Sequence, residues 1–201
     1  PLRKNQRPIR WSVLTFMAVV HGLALWSLPY FSWANLTVLL LFYFITACLG
    51  VTLGLHRMAS HKSFKTPKWL ERVLITCGAL AAQGGPLEWV GLHRHHHMYS
   101  DLSKDPYYVW LENNFLLLQV PLGVVLFLIG GWSMVGWGIF LRLAVVYNFT
   151  WLVNSATHKW GYRTYDTDDN SRNNWWVALL TFGEGWHNNH HHYAGSARQG
   201  F

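Results

Sequence analysis

The stretch Glu184-Gly185-Trp186-His187-Asn188-Asn189-His190-His191-His192 holds the densest set of reactive side chains in the sequence. At about 100° per residue, His187, His190 and His191 share one face of a helix, with His192 outside it. Alone, such a run would be read as a tag or a solvated tract. The same spacing recurs upstream. In His93-Arg94-His95-His96-His97, the residues His93, His96 and His97 fall on one face and His95 opposite. His56-Arg57-Met58-Ala59-Ser60-His61 adds a pair, and Asn154 and His158 stand one turn apart. Neutral imidazole suits iron, zinc, copper and nickel. The candidate ligands are His56, His61, His93, His96, His97, His158, His187, His190 and His191. They exceed the needs of one tetrahedral zinc and suffice for two metal ions with open positions. Soluble di-iron bundles use glutamates and Glu-x-x-His motifs. That pattern is missing here, so a histidine-dominated, oxygen-using two-iron centre is the leading reading. With dioxygen and two external electrons it would attack an unactivated C–H bond. Loss of hydrogen from adjacent carbons gives an alkene, and oxygen insertion gives an alcohol; the spacing does not choose between them.

Other polar residues near the clusters have less specific roles. Asn154 could bind metal weakly, hold a metal-bound water or bond its neighbours. Glu88, Asp101 and Glu184 could accept ring N–H bonds from ligating histidines, or could be solvated or helix-capping carboxylates. Arg57 and Arg94 read as structural or phosphate-facing.

These side chains need a scaffold, and the composition points to a membrane. Hydrophobic residues make up 51% of the chain and charged residues 12%, about half the usual share for a soluble protein. The 13 tryptophans suit aromatic belts at a bilayer interface. Two cysteines, Cys48 and Cys77, are too few for a disulfide framework and read as apolar filler. The net charge of +7 reads as a positive-inside signature. No interleaving of aromatic and basic residues suggests nucleic-acid binding.

The hydropathy predicts four transmembrane helices, over Trp11–Leu28, Asn35–Leu55, Phe115–Gly130 and Val135–Ser155, the first of them just long enough to cross the hydrocarbon core. Arg3, Lys4, Arg7 and Arg10 form a basic cytoplasmic arm. The turns at Pro29–Ala34 and Gly131–Ser133 carry no Lys or Arg. Every basic residue except Arg142, and every histidine except His21, falls in a segment assigned to the cytoplasm. His21 reads as a polar residue packed between helices. Arg142, inside the fourth span, is costly unless paired or snorkelling. Between the second and third spans, Trp69–Ala82 reads as an interfacial helix opened by Pro67. Pro86 restarts a helix carrying Glu88, Trp89 and the His93 cluster. The tail reads as an amphipathic helix ending in the His187 cluster. The fold class is therefore an all-α integral membrane protein: four spans and a cytosolic helical cap holding a histidine-rich di-iron site. Both termini and the metal site lie on the cytoplasmic side.

On these residues the chain resembles the membrane fatty acid desaturases of the Δ9 (stearoyl) type. The three histidine boxes stand as His-Arg-Met-Ala-Ser-His, His-Arg-His-His-His and His-Asn-Asn-His-His, in order and separated by spans, and Asn154-Ser155-Ala156-Thr157-His158 matches a fourth element. The resemblance implies two irons on the histidines named above, with Asn154 acting through a water. It also implies an acyl tunnel lined near the future double bond by Gln83, Trp89, Thr150 and Trp151. Gly84-Gly85-Pro86, Gly91-Leu92 and Gly183-Glu184-Gly185 look more like the acyl-lipid desaturases of cyanobacteria and plastids than like the acyl-CoA type. The expected reaction is oxygen-dependent introduction of a cis Δ9 double bond into a saturated, lipid-linked acyl chain. Electrons would come from a separate protein, ferredoxin in this branch, with cytochrome b5 as the alternative. One desaturase domain over residues 1–201 is expected, shortened by a loop near 106–107 and by a C-terminal tail. Two other readings are an alkyl or sterol hydroxylase and a membrane metal or haem transporter. A transporter would string ionisable residues across the bilayer, whereas here the histidines gather on one side.

Overall fold

The structure, a computed structural model, describes residues 10–93 and 105–200. Arg3, Lys4 and Arg7 of the basic arm lie outside the described residues, as do Arg94, His95, His96, His97, Asp101 and Lys104. The regular elements among the described residues are helices, apart from two isolated β-bridges.

Helix α1 (Trp11–Ser27) ends in a 3-10 turn around Pro29. Helix α2 (Trp33–Tyr43) begins where the Ser32 hydroxyl accepts from the Asn35 N–H at 3.1 Å, satisfying an otherwise orphaned donor. It continues without a break as a π-helical segment, Phe44–Ser60. The expected second span ended at Leu55; the helix instead carries His56 inside it. Helices α3 (Lys68–Ala79), α4 (Pro86–His93) and α5 (Pro106–Asn114) form part of the cap. Asp105 caps α5 through the Tyr107 N–H at 3.0 Å.

Among the described residues, three helical stretches are long and apolar enough to cross a membrane: Trp11–Tyr30, Trp33–Ser60 and Pro106–His158. The third is not one rod. Helix α6 (Gln119–Val135) breaks at Gly130 and at Gly131, whose φ of 64° and ψ of −160° favour glycine. A β carbon on Gly123 would meet Ile139, and one on Gly138 would meet Leu126. In a straight helix, residues 123 and 139 would stand ~24 Å apart. They meet because the chain folds back, bringing a π-helical turn (Gly136–Leu141) against α6 and α1, and helix α7 (Arg142–Ser155) against α1 and α2. Leu128, Ile129, Leu40 and Leu25 stay exposed on the outer surface, as lipid-facing side chains do. The chain is an integral membrane protein. Trp26, Trp33 and Trp132 cluster at the turns of the two hairpins, where amphipathic rings prefer the interface.

Helix α3 packs along Phe44–Ser60 on glycines. A β carbon on Gly50 would lie 2.4 Å from the Cys77 carbonyl carbon, and one on Gly54 would lie 2.7 Å from the Leu74 carbonyl oxygen. The buried Leu55, Ile75, Ala79, Val90, Tyr108 and Leu111 continue this core toward the cap. Gly50→Val is therefore expected to lift α3 off and to cut the yield of monodisperse, detergent-solubilised protein at least tenfold; size-exclusion chromatography checks it. Arg142, the costly residue of the fourth span, is fully buried with a hydrogen bond from each guanidinium nitrogen, so it is paired rather than snorkelling.

The tail departs from expectation. In place of one helix there are two, α8 (Trp175–Leu180) and α9 (His187–His192). Phe182 (φ 55°) and Gly183 (φ 102°) turn the chain between them.

Candidate metal centre

His56 and His61 are five residues apart, which on an α-helix would set them roughly 140° apart. The chain solves this with a wider turn. The His61 N–H donates to the His56 carbonyl at 3.0 Å, and the Ser60 hydroxyl donates to the Leu55 carbonyl at 2.8 Å, both across five residues. Such π turns are rare and favour functional sites. The two rings meet with centroids 4.8 Å apart. His93, the last residue of α4, closes from a second side, its Nε2 2.8 Å from His61 Nε2. His190 of α9 closes from a third, its Nε2 3.1 Å from His56 Nε2. One ring nitrogen from each of His56, His61, His93 and His190 lies within 4.8 Å of the others.

A second cluster adjoins it. His158, at the end of the 3-10 turn after α7, meets His187 Nε2 to Nε2 at 3.1 Å, and His191 completes a triplet within 4.8 Å. Helix α9 thus serves both groups: His190 joins the first, His187 and His191 the second. His192 points elsewhere and stacks on Tyr165.

Carboxylates set the proton positions. Glu184 Oε2 lies 2.5 Å from His56 Nδ1, and Asp169 hydrogen-bonds His191 Nδ1. A carboxylate on Nδ1 holds the ring proton there and leaves Nε2 free as a donor to metal. Burial favours a protonated Glu184, but His56 and Arg57 outweigh it and hold its pKa below the usual carboxylate value. For Asp169 too, burial is outweighed, here by Ser171 and His191. Burial, then the neighbouring His191 and His158, push His187 down to about 3; burial, His56 and His61 push His190 down as well. These rings stay neutral at physiological pH, the form that binds metal.

An apolar cavity reaches both clusters. Together with its open mouth it contains about 610 Å³ of empty space. Tyr43, Val51, Val146, Phe149 and Val153 are among its walls, and His56, His93 and His187 stand at its reactive end. Trp89 and Thr150 line it; Gln83 bridges them, donating to Thr150 Oγ1 at 2.8 Å and accepting from Trp89 Nε1 at 3.2 Å. Asn154 also lines it, its amide donating to the Thr150 carbonyl at 3.2 Å.

Comparison with known proteins decides the family. The fatty acid desaturase model matches residues 31–120 and 107–199. The chain is similar to an sn-1 stearoyl-lipid 9-desaturase of Synechocystis, with 48% identity over 94% of this chain and 72% of that one. It is 42% identical to an sn-2 palmitoyl-lipid 9-desaturase of Nostoc, over 100% of this chain and 84% of that one. A chloroplastic palmitoyl-monogalactosyldiacylglycerol delta-7 desaturase of Arabidopsis thaliana is 40% identical, over 94% and 63%. The chain belongs to the fatty acid desaturase family.

In this desaturase Trp151 stands away from its expected place, whereas His21, Glu88 and Arg57 each take a place that the sequence already allowed. Trp151 does not line the cavity: it stacks on His21 and Tyr147 and is half exposed, because its position on α7 turns it from the face that carries Thr150. His21 is a packing residue, bonded to the Met17 carbonyl and to Asn148. Glu88 lies beside Arg10, at 3.8 Å, rather than against a described histidine. Arg57 is structural, reaching Glu184, the Phe182 carbonyl and the Ala197 carbonyl.

Other residues of the desaturase emerge only from the fold. Asp169 and the buried Gln199, whose amide lies 3.1 Å from His190 Nδ1, come from loops with no local signal. The two asparagines inside the third box face away from the metal side. Asn188 Oδ1 accepts from the N–H groups of Thr164 and Tyr165, both at 2.8 Å. Asn189 donates to the Gln199 carbonyl at 2.9 Å and accepts from Asn173 at 2.7 Å. They fasten a six-residue helix too short to hold itself.

Proposed function

We propose that this desaturase introduces a cis Δ9 double bond into a saturated long acyl chain carried on a membrane glycerolipid. One observation carries the reading: both histidine clusters meet the end of an apolar cavity through His56, His93 and His187. The names of the Synechocystis and Nostoc relatives, both lipid 9-desaturases, favour the lipid-linked substrate and the Δ9 position.

The donor set fits iron. All the gathered ligands are imidazoles, two of them backed by carboxylates. His56, His61, His93 and His190 would hold one ion. His158, His187 and His191 would hold the other, with His96 and His97 as further ligands and Asn154 acting through a water. A bound iron pair supplies oxygen activation strong enough to remove hydrogen from an unactivated C–H bond, using two electrons from outside. The protein's own residues do the rest. The apolar walls exclude water and hold the chain extended toward the histidines. Glu184 and Asp169 keep the ring protons on Nδ1. Asp101 and Glu88 belong to the same proposal as carboxylates near the second box.

Four crossings follow from the two hairpins, with the metal site and both ends of the chain on the cytoplasmic face; the basic residues support that orientation. That basic face suits an acidic electron donor, ferredoxin first and cytochrome b5 second. The chain is one desaturase domain whose connection near 106–107 is shorter than in relatives. The Nostoc alignment needs 240 positions for 201 residues here, and the two family matches overlap at residues 107–120.

The test is expression with a ferredoxin donor in a host lacking Δ9 activity, followed by mass spectrometry of intact lipids. An oxygen-dependent Δ9 monoene on glycerolipid is the expected product. An alcohol would move the protein to the hydroxylases, and a monoene appearing first on the CoA thioester would overturn the lipid-linked reading.

A further inference from the structure

Arg142 sits fully buried in an apolar hairpin, where a charged side chain is expensive. Its guanidinium makes three bonds of 2.8 Å: to the Gly138 carbonyl, to the Leu80 carbonyl and to Gln119 Oε1. Gln119 in turn donates to the same Leu80 carbonyl at 2.9 Å. Leu80 is the C-terminal cap of α3. The last carbonyls of a helix lack intrahelical partners and form its negative end, so a cation is favoured there. Two residues on, the Tyr147 hydroxyl donates to the Ala82 carbonyl at 2.8 Å. Ala82 has a φ of 52°, a conformation that a residue with a β carbon keeps only when its surroundings impose it.

The next residue is Gln83, which carries the bridge between Thr150 and Trp89. Trp89 then stacks on His93, with ring centroids 5.3 Å apart and planes 13° off parallel, while forming one wall of the cavity. Arg142 and Tyr147 do not line that cavity. They reach it through one turn of backbone.

We propose that Arg142 and Tyr147 are positioning residues for the site of desaturation: by clamping the 80–83 turn they fix Trp89, and with it which carbons of the acyl chain lie opposite the histidines. A saturated chain has no polar mark near its middle, so its register depends on the walls that confine it. A shift of about 1 Å is enough to change which C–H bond is presented. The relatives differ on this point, two being named for position 9 and one for position 7. The proposal rests on the desaturase reading above.

The test compares wild type with Tyr147→Phe, Arg142→Lys and Arg142→Met. Readouts are double-bond position in the product lipids, iron per chain, and hydrogen exchange of the 79–83 amides in the metal-free protein. Tyr147→Phe is expected to insert and to load iron as wild type does. Its turn amides should exchange about tenfold faster, and the share of monoene with a displaced double bond should rise several-fold. Arg142→Lys keeps the charge but not the planar fork and should do the same; Arg142→Met should do so more strongly. If Arg142→Met does not accumulate, the other two variants decide. Wild-type bond position and wild-type exchange in both would overturn the proposal. If wild type itself makes no monoene, the functional reading fails, and the exchange data still report whether the clamp holds the turn.

Discussion

His190→Ala is expected to lower turnover below about one-hundredth of wild type, at least ~2.7 kcal/mol in the barrier, and to lower bound iron by one ion or more per chain. His190 belongs to the four-histidine cluster, where its Nε2 faces His56 Nε2 at 3.1 Å. It also shares a short helix with His187 and His191 of the other cluster. Removing it takes away one donor and the contact through Gln199 that steadies the ring. Membrane insertion should survive, because α9 lies outside the spans and remains fastened through Asn188 and Asn189. Metal analysis of purified protein and lipid analysis of the producing cells measure the two effects. Wild-type turnover in the variant would remove His190 from the site. His96→Ala is expected to match it in turnover.

Glu184→Ala is expected to weaken iron binding 10- to 100-fold, the usual cost of losing a group that orients a metal-ligating histidine. The carboxylate is shared between His56 Nδ1 and Arg57, all three largely buried at the side chain. Without it the His56 ring loses both its tautomer and its orientation. Arg57 keeps only carbonyls and Gln199, an uncompensated buried charge that also costs stability. Glu184→Gln retains an acceptor for the ring N–H and should fall between. Chelator competition on the purified variants measures the affinities. An alanine variant that holds iron as tightly as wild type would show that Glu184 does not orient His56.

The histidine faces were legible because helical spacing is a local property. The set of His187, His190 and His191 needed only the 100° step, and the structure uses that face, dividing it between two clusters. The pairing of His56 with His61 was not legible as geometry. An α-helical wheel separates them, and the π register that joins them, in the segment that packs on α3, has no signature in the residue spacing. Asp169 and Gln199 were invisible for a related reason: they reach the histidines from loops 22 and nine residues away in sequence, with no periodic pattern to mark them. The apolar hairpins could be read from hydropathy; the uncharged turn expected at Gly131–Ser133 begins one residue earlier, at Gly130 and Gly131. The break within the tail could not, since it rests on positive φ at Phe182, a residue type that gives no hint of it. Trp151 was misplaced because a resemblance assigns a position, whereas the helix decides which way its side chain points.

The most direct measurement is the metal content of the purified wild-type chain from iron-replete cells, beside His158→Ala and His61→Ala. Two histidine clusters predict two irons per chain in wild type and a loss of about one in each variant, with the remaining ion still bound. A single metal in wild type, or zinc in place of iron, would contradict the two-iron centre on which the desaturase chemistry depends.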